Sequence, residues 1–237
     1  MFSASADLYD LVYSSFKDYP VEATELAALI RRIHPRAITV LDVACGTAEH
    51  ARLLHEVHGF DVDGLDLDPS FVRIARTKLR DGSVFEADMT SFSLSERYDV
   101  ITCLFSSIGY VKTLDNVQRA LESFRAHLAP GGTVIVEPWF PPGVLQNGRI
   151  SVNTAESPDV KVCRMAHTEI DGRLSRLRFD YLIGRASGIE HASEIHELGV
   201  FSTEEMMECF RKAGLDAEHD EKGPSGRGLF VARASGR

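Results

Sequence analysis

The sequence predicts a doubly wound α/β sheet that carries an antiparallel β insert. Three observations predict it. Short apolar runs alternate with amphipathic helical patterns between residues 22 and 137. The first apolar run feeds directly into a tight glycine turn. Beyond Pro138 the texture changes to three long stretches of alternating side chains, and the strand–helix rhythm then returns. Strand and helix in regular alternation bury a parallel sheet under helices on both faces.

The first helical pattern runs from Glu22 to Ile33, with Leu26, Leu29, Ile30 and Ile33 on one face and Pro35 ending it. Ala37 to Val43, AITVLDV, is apolar at nearly every position, as a strand covered on both faces must be. It enters Ala44-Cys45-Gly46-Thr47, and a helix bearing Ala51, Leu54 and Val57 follows. Asp61 to Asp66 reads as a second strand. Pro69 suits the first turn of the next helix, Ser70 to Leu79, where its missing N–H costs nothing. Ser83 to Glu86 and Tyr98 to Phe105 are the third and fourth strands. Val117, Leu121, Phe124 and Leu128 mark the buried face of a helix from Leu114. Pro130-Gly131-Gly132 is expected to turn the chain into a fifth strand, Thr133 to Glu137.

PWFPPG, from Pro138, cannot lie inside a central strand because proline lacks the ladder donor. The insert, about residues 138 to 200, then offers strands over Lys161 to Ile170, Leu174 to Ile183 and Ile189 to Leu198. Asp171-Gly172 and Arg185 to Gly188 separate them. Their alternation predicts one wet face. Ser202 and Glu205 form an S-x-x-E capping box for a helix through Ala213, stopped by Gly214. Asp216 to Asp220 and Gly228 to Ala232 are read as a closing hairpin, and residues 1–237 as a single domain.

Composition narrows the function. The chain of 237 residues holds 26 Lys and Arg against 35 Asp and Glu, a formal charge of -9. No Lys/Arg stripe answers a phosphate backbone, so the reading excludes a nucleic-acid partner. Cysteines at 45, 103, 163 and 209 form no CxxC pair and suggest neither a metal site nor a disulfide framework. The amino-terminal stretch lacks a basic segment followed by an apolar core, and no apolar run reaches membrane-spanning length. The expectation is a soluble cytoplasmic protein that uses no metal and contacts no membrane.

The chemistry concentrates where the strand containing Asp42 meets the ACGT turn and where GLDLD closes the second strand. Gly46 lets the backbone turn tightly and lets a ligand approach it. Asp42 can order the loop or accept from a ligand ammonium. Asp66 and Asp68 stand at the crevice outside the strand ends, where a carboxylate can take both hydroxyls of a ribose. A dinucleotide fingerprint is absent, since Thr47, Ala48, Glu49 and His50 follow Gly46, and no Walker A lysine appears. Glu49 at the helix start would repel a pyrophosphate. A neutral or zwitterionic nucleoside suits the loop.

DVACGTAEH, GLDLD at 64–68, EADM at 86–89 and LAPGGTVIVEPW at 128–139 together resemble the ordered motifs of class I methyltransferases that use S-adenosylmethionine. YDLVY at 9–13, KDY at 17–19, FSSIGY at 105–110, VEPWF at 136–140 and GPSGRGLFV at 223–231 sharpen the likeness. The chain resembles, nearly end to end, the N-methyltransferases of dTDP-linked deoxyamino sugars, of the desosamine-pathway N,N-dimethyltransferase type. The resemblance implies a seven-stranded Rossmann-like methyltransferase sheet, S-adenosylmethionine as cofactor and a homodimer formed through the antiparallel layer. It also implies an amino-terminal segment roofing the cleft. It places the cofactor against Tyr13, Tyr19, Asp42, Ala44, Gly46, Asp66, Leu67, Asp88, Met89 and Cys103. It places the sugar nucleotide against Tyr9, Ser106, Trp139, Arg178, Ser225 and Arg227, the last two facing its phosphates.

Methyl transfer from a sulfonium is an in-line displacement that needs a free nitrogen lone pair and good alignment. Tyr110, where some relatives carry histidine, and Glu137 are the candidates to orient the amine or receive its proton, with His196 a third. Trp139 serves equally as insert core. His50 and His167 read as structural, and Cys45 as a buried filler. Two other readings stand beside this one. One is methylation of an oxygen or nitrogen on another small molecule, such as a carboxylate, phosphonate or amino-acid derivative. The other is a non-catalytic partner that keeps the cofactor fold.

Overall fold

The computed structural model describes residues 6–235. Seven strands form the main sheet: β1 (Thr39–Val43), β2 (Asp61–Asp66), β3 (Val84–Glu86), β4 (Tyr98–Cys103), β5 (Leu128–Val136), β10 (Leu215–Asp220) and β11 (Leu229–Ala234). Their order is β10-β11-β5-β4-β1-β2-β3. All run parallel except β11, which opposes both β5 and β10 and closes the expected hairpin. β1 lies between β2 and β4, so the strand order reverses at its carboxyl end, the place where open α/β sheets bind ligands.

Helices cover both faces. α2 (Tyr19–Ile33), α3 (Glu49–Glu56) and α4 (Pro69–Lys78) bury Leu26, Ile30, Leu54 and Val72 against Val40, Val62 and Val100. α5 (Leu114–Ala126) and α6 (Thr203–Lys212) bury Leu121, Phe124 and Phe210 against Leu41, Ile101 and Val134. Each such large apolar side chain contributes about 1.5–3 kcal/mol by leaving water. α2 begins before the periodicity does, because the Asp18 side chain caps it by accepting from Val21 N–H and Pro20 fits its first turn. Asp68 caps α4 by accepting from Ser70 N–H at 2.8 Å. The Ser202–Glu205 capping box forms in both directions.

Two local expectations change. Pro130 and Gly131 do not precede β5 but bulge within it, the register slipping between the Tyr98–Leu128 and Val100–Thr133 pairs. The insert has four strands, β6 (Ile150–Ser157), β7 (Val160–Asp171), β8 (Leu174–Arg185) and β9 (Gly188–Gly199), in a simple antiparallel meander. β6 is an edge strand of mostly exposed and polar residues, so it lacks the apolar alternation that reveals the others. The inner face of this layer packs Val162, Ala166, Phe179 and Ile183 beneath Leu8 and Val12 of the amino-terminal segment, which includes α1 (Tyr9–Tyr13). That segment lies between the two sheets as a roof.

Candidate active site

Between β1 and α3 the chain passes through left-handed conformations at Ala44 (φ 57°), Gly46 (φ 57°) and Ala48 (φ 62°). Two of these carry a Cβ, at about 1–2 kcal/mol each. Hydrogen bonds hold the loop there: Cys45 N–H donates to Leu65 O at 3.0 Å and Ala48 N–H to Cys45 O at 2.9 Å. Asp66 at the end of β2 uses both carboxylate oxygens, accepting from Gly46 N–H at 2.8 Å and from Asp68 N–H at 2.9 Å. Burial raises the Asp66 pKa, while these N–H donors pull it down. A Cβ built on Gly46 would meet nothing within 4 Å, so the backbone there faces open space.

The roof is tied to this loop. Asp10 on α1 accepts from Thr47 Oγ1 at 2.6 Å and pairs with Lys78 Nζ at 2.6 Å, and Lys78 also reaches Glu49 at 3.1 Å. Tyr9 and Tyr13 stack at 4.2 Å, Tyr9 meets the edge of Phe71, and Tyr13 meets the edge of Phe105. Burial drives both phenol pKa values up, so these rings stay neutral.

At the far end, the loop between β10 and β11 folds back over the sheet. Arg227 donates from Nε to Ser225 Oγ at 2.9 Å and from Nη1 to Ser106 Oγ at 3.1 Å, and its guanidinium lies over Phe105 and Phe140. Glu137 anchors this strap. Its carboxylate accepts from Phe105 N–H at 2.6 Å and from the Ser225 hydroxyl, and lies 3.3 Å from Arg227 Nε. Phe105 and Ser106 themselves sit at φ 52° and 64°.

These parts enclose one continuous cleft of about 890 Å³. Of the nominated residues, Tyr9, Tyr13, Ala44, Gly46, Asp66, Leu67, Asp88, Met89, Tyr110, Trp139, Ser225 and Arg227 line it. Trp139 also donates from Nε1 to Ser175 Oγ at 2.7 Å, which locks its ring to the layer. The others stand elsewhere. Asp42 is buried under the loop and accepts from Thr102 Oγ1 at 2.8 Å, so it orders the loop from below. Cys103 is fully buried in the sheet, and burial raises its thiol pKa. Tyr19 packs behind Tyr13 against His50. Ser106 is buried and donates to Pro138 O. Glu137 opens onto a neighbouring cavity of about 380 Å³, with one carboxylate oxygen held by Ser225 and Arg227 of the strap and the other by Phe105 N–H. His196 lies beneath Tyr110. Arg178 is a correction: it projects from the outer face of the layer, pairs with Asp180 at 2.9 Å and does not line the cleft.

Sequence reading passed over Arg164 and Phe105. Arg164 is buried in the cleft wall, its guanidinium over Tyr13, Phe16 and Phe179. A signal existed: Val162, Arg164, Ala166 and Thr168 share the inward parity of β7. Among the described residues no group of His, Cys, Asp and Glu is placed to hold a metal ion.

A methyltransferase-domain family model matches residues 40–132, from β1 through the bulge in β5. The chain is 42% identical over 228 residues to the dTDP-3-amino-3,6-dideoxy-alpha-D-glucopyranose N,N-dimethyltransferase of Streptomyces fradiae, covering 95% of this chain and 89% of that one. It is 38% identical over 228 residues to the dTDP-3-amino-3,4,6-trideoxy-alpha-D-glucopyranose N,N-dimethyltransferase of Streptomyces venezuelae, covering 95% and 96%. The chain belongs to this N,N-dimethyltransferase family. The crystal structure of Streptomyces venezuelae DesVI superposes with a TM-score of 0.91 at 38% identity, covering 97% of this chain and 98% of that one. S-adenosylmethionine-bound CalS10, an amino pentose methyltransferase from Micromonospora echinaspora, superposes with a TM-score of 0.87 at 33% identity, covering 96% and 97%.

The protein is therefore an S-adenosylmethionine-dependent N-methyltransferase with the class I sheet. Its own residues fit that donor. The open backbone at Gly46 and the fixed Asp66 carboxylate line a cleft large enough for a nucleoside and a second molecule.

Proposed function

We propose that the enzyme methylates the amine of a dTDP-linked deoxyamino sugar, adding one or two methyl groups, in the biosynthesis of an antibiotic sugar. One observation carries the reading: a single cleft is lined both by a ribose-type carboxylate, Asp66, and by an arginine–serine pair, Arg227 and Ser225. The first suits the donor. The second suits the diphosphate that distinguishes a sugar nucleotide from a free sugar, because a guanidinium beside a hydroxyl makes charge-assisted bonds to phosphate oxygens.

In this reading the Ala44–Gly46 backbone takes the methionine portion of the donor, Asp66 the ribose, and Leu67, Asp88 and Met89 the adenine. Bound there, S-adenosylmethionine supplies an electrophilic methyl group on a sulfonium. Tyr9, Tyr13 and Trp139 hold the acceptor dry and in line, and Tyr110 faces its amine. The outer face of the antiparallel layer, with Ile150, Val152, Met165, Leu182 and Ile195 exposed, is the proposed homodimer surface. No described helix is long and apolar enough to cross a membrane, and we assign the enzyme to the cytoplasm.

The test is mass spectrometry of reactions with dTDP-aminosugars and the matching free aminosugars. Gains of one and then two methyl masses on the nucleotide-linked sugars alone are expected. Arg227→Ala should raise the acceptor KM about 10- to 100-fold, the loss of one or two charge-assisted bonds, with donor affinity unchanged by calorimetry. Equal turnover of the free amines would move the acceptor to another small molecule.

A further inference from the structure

β9 turns Glu194, His196 and Leu198 toward the cleft side of the layer. His196 is 1% exposed and lies directly under Tyr110. Its Nδ1 is 3.1 Å from Tyr110 Oη, and its Nε2 is 3.4 Å from Glu194 Oε2. Tyr181 also donates to Glu194 Oε2, at 3.4 Å. A carboxylate only accepts, so Glu194 fixes the proton on Nε2 and leaves the Nδ1 lone pair facing the Tyr110 hydroxyl. Tyr110 reaches the cleft, whereas the pair behind it does not. A buried imidazole–carboxylate pair adds little net stability, since apolar residues of equal volume do as well. Its place behind the phenol that faces the acceptor calls for another reason.

We propose that Tyr110, His196 and Glu194 form a relay that removes the proton from the acceptor ammonium, with His196 and Glu194 as positioning residues acting through Tyr110. This rests on the amine acceptor proposed above. An ammonium hydrogen-bonded to Tyr110 Oη gives its proton to that oxygen as the phenolic proton passes to His196 Nδ1, and the resulting imidazolium is held by the Glu194 carboxylate. The freed nitrogen lone pair forms the new N–C bond, and the electron pair of the C–S bond goes to sulfur. Each methyl added consumes one such deprotonation, so the imidazolium returns its proton to solvent before the second transfer.

The charged and titratable surroundings are compatible with that cycle. Tyr9 and Tyr13 face Tyr110 from α1, Tyr181 from β8 and Asp66 from β2, while Arg164 of β7 and Arg227 of the strap flank Tyr13 beside them. Burial holds the phenols of Tyr9, Tyr13 and Tyr110 above their ordinary range, so all three stay protonated near neutral pH.

Single-turnover rates measured from pH 6 to 9.5 on wild type, Tyr110→Phe, His196→Gln and Glu194→Gln decide the matter. Without the relay only amine already neutral in solution reacts. For an amine with a pKa of about 8, the variants' rates should fall about tenfold per pH unit below pH 7, the wild-type rate should fall less steeply, and the two should converge within about twofold at pH 9. A structural role would give the same loss at every pH. Tyr110→Phe removes one cleft hydroxyl and leaves the buried pair intact, so it reports even where a His196 substitution unfolds. Nitrogen NMR of the His196 ring should also show a larger imidazolium fraction when the dTDP-aminosugar binds wild type without donor than when it binds Tyr110→Phe. Profiles parallel to wild type, or a ring unchanged by acceptor, overturn the relay alone. A wild type inactive on every dTDP-aminosugar overturns the acceptor assignment and the relay together.

Discussion

Replacing Asp42 with Asn should stabilise the free enzyme, and only at pH values above about 4. The Asp42 side chain lies beneath the loop with Thr102 Oγ1 donating to one of its oxygens at 2.8 Å. Burial lifts its pKa from 3.8 to about 6, opposed by His50 and the Thr102 bond and aided by repulsion from Asp66. A raised acid pKa means that the folded chain keeps a proton where the unfolded chain has released it. Stability from this group is full below the unfolded value, declines as pH rises from about 4, and is gone above about 6. The gap between 3.8 and about 6 corresponds to about 3 kcal/mol at about 1.36 kcal/mol per pKa unit.

Asn offers Thr102 the same acceptor oxygen, puts an amide where the protonated acid carries its O–H, and never ionises. The variant should therefore gain about 3 kcal/mol over wild type at pH 7.5 and lie within about 0.5 kcal/mol of it at pH 4. With a urea dependence of about 2–3 kcal/mol per molar, the unfolding midpoint at pH 7.5 should rise by about 1 M. Circular dichroism of urea unfolding at the two pH values reads this directly. A gain of equal size at both, or a loss at pH 7.5, would show that burial of charge is not what governs Asp42.

Asp66→Asn leaves one oxygen for the Gly46 and Asp68 N–H groups that now occupy two, a cost of about 1.5–3 kcal/mol to the loop, and replaces the charged acceptor proposed for the ribose, so donor binding should weaken at least about 10-fold by calorimetry; an unchanged Kd would remove Asp66 from the donor site. Gly46→Ala should fold, at a cost of about 1–2 kcal/mol for a side chain at φ +57°, because its methyl group meets no neighbour. Its donor affinity should fall at least about tenfold, since that open face is where the donor is proposed to lie; normal affinity would place the donor elsewhere. Glu137→Gln cannot supply acceptors to Phe105 N–H, Ser225 and Arg227 together, so the strap at 221–228 should be cleaved faster by protease and the acceptor KM should rise about 10-fold; unchanged proteolysis would show that Glu137 does not latch it.

The main sheet was legible because its strands are buried on both faces and its helices carry caps that work locally, as at Ser202 and Glu205. The proposed donor end could be placed for a related reason: the loop and the carboxylates lie at the ends of those strands, so sequence order fixes their position in the fold. The acceptor end could not, because there the neighbours are distant in sequence. Arg227 meets Ser106, Glu137 meets Ser225, and Tyr110 meets His196, contacts spanning 121, 88 and 86 residues. No periodicity encodes such pairs. Parity did encode the one outright misplacement. Leu177, Phe179, Tyr181 and Ile183 set the inward side of β8, which consigns Arg178 to the outside, just as the same rule on β7 brings Arg164 in.

That parity rule also constrains how acceptor choice can evolve. The cleft wall and the proposed dimer surface are opposite faces of one four-stranded layer, with Phe179, Glu194 and His196 on one side and Met165, Leu182 and Ile195 on the other. Single substitutions at inward positions reshape the acceptor pocket without touching the outer face. An insertion of one residue early in β8 exposes Phe179 and buries Arg178, and one early in β9 exposes His196 and buries Ile195, so either disrupts the pocket and the proposed interface at once. Variation in acceptor preference within this architecture is therefore expected as side-chain exchange at even positions of β9 and odd positions of β8, with strand lengths held fixed and length changes confined to the turns at Gly172 and Gly188.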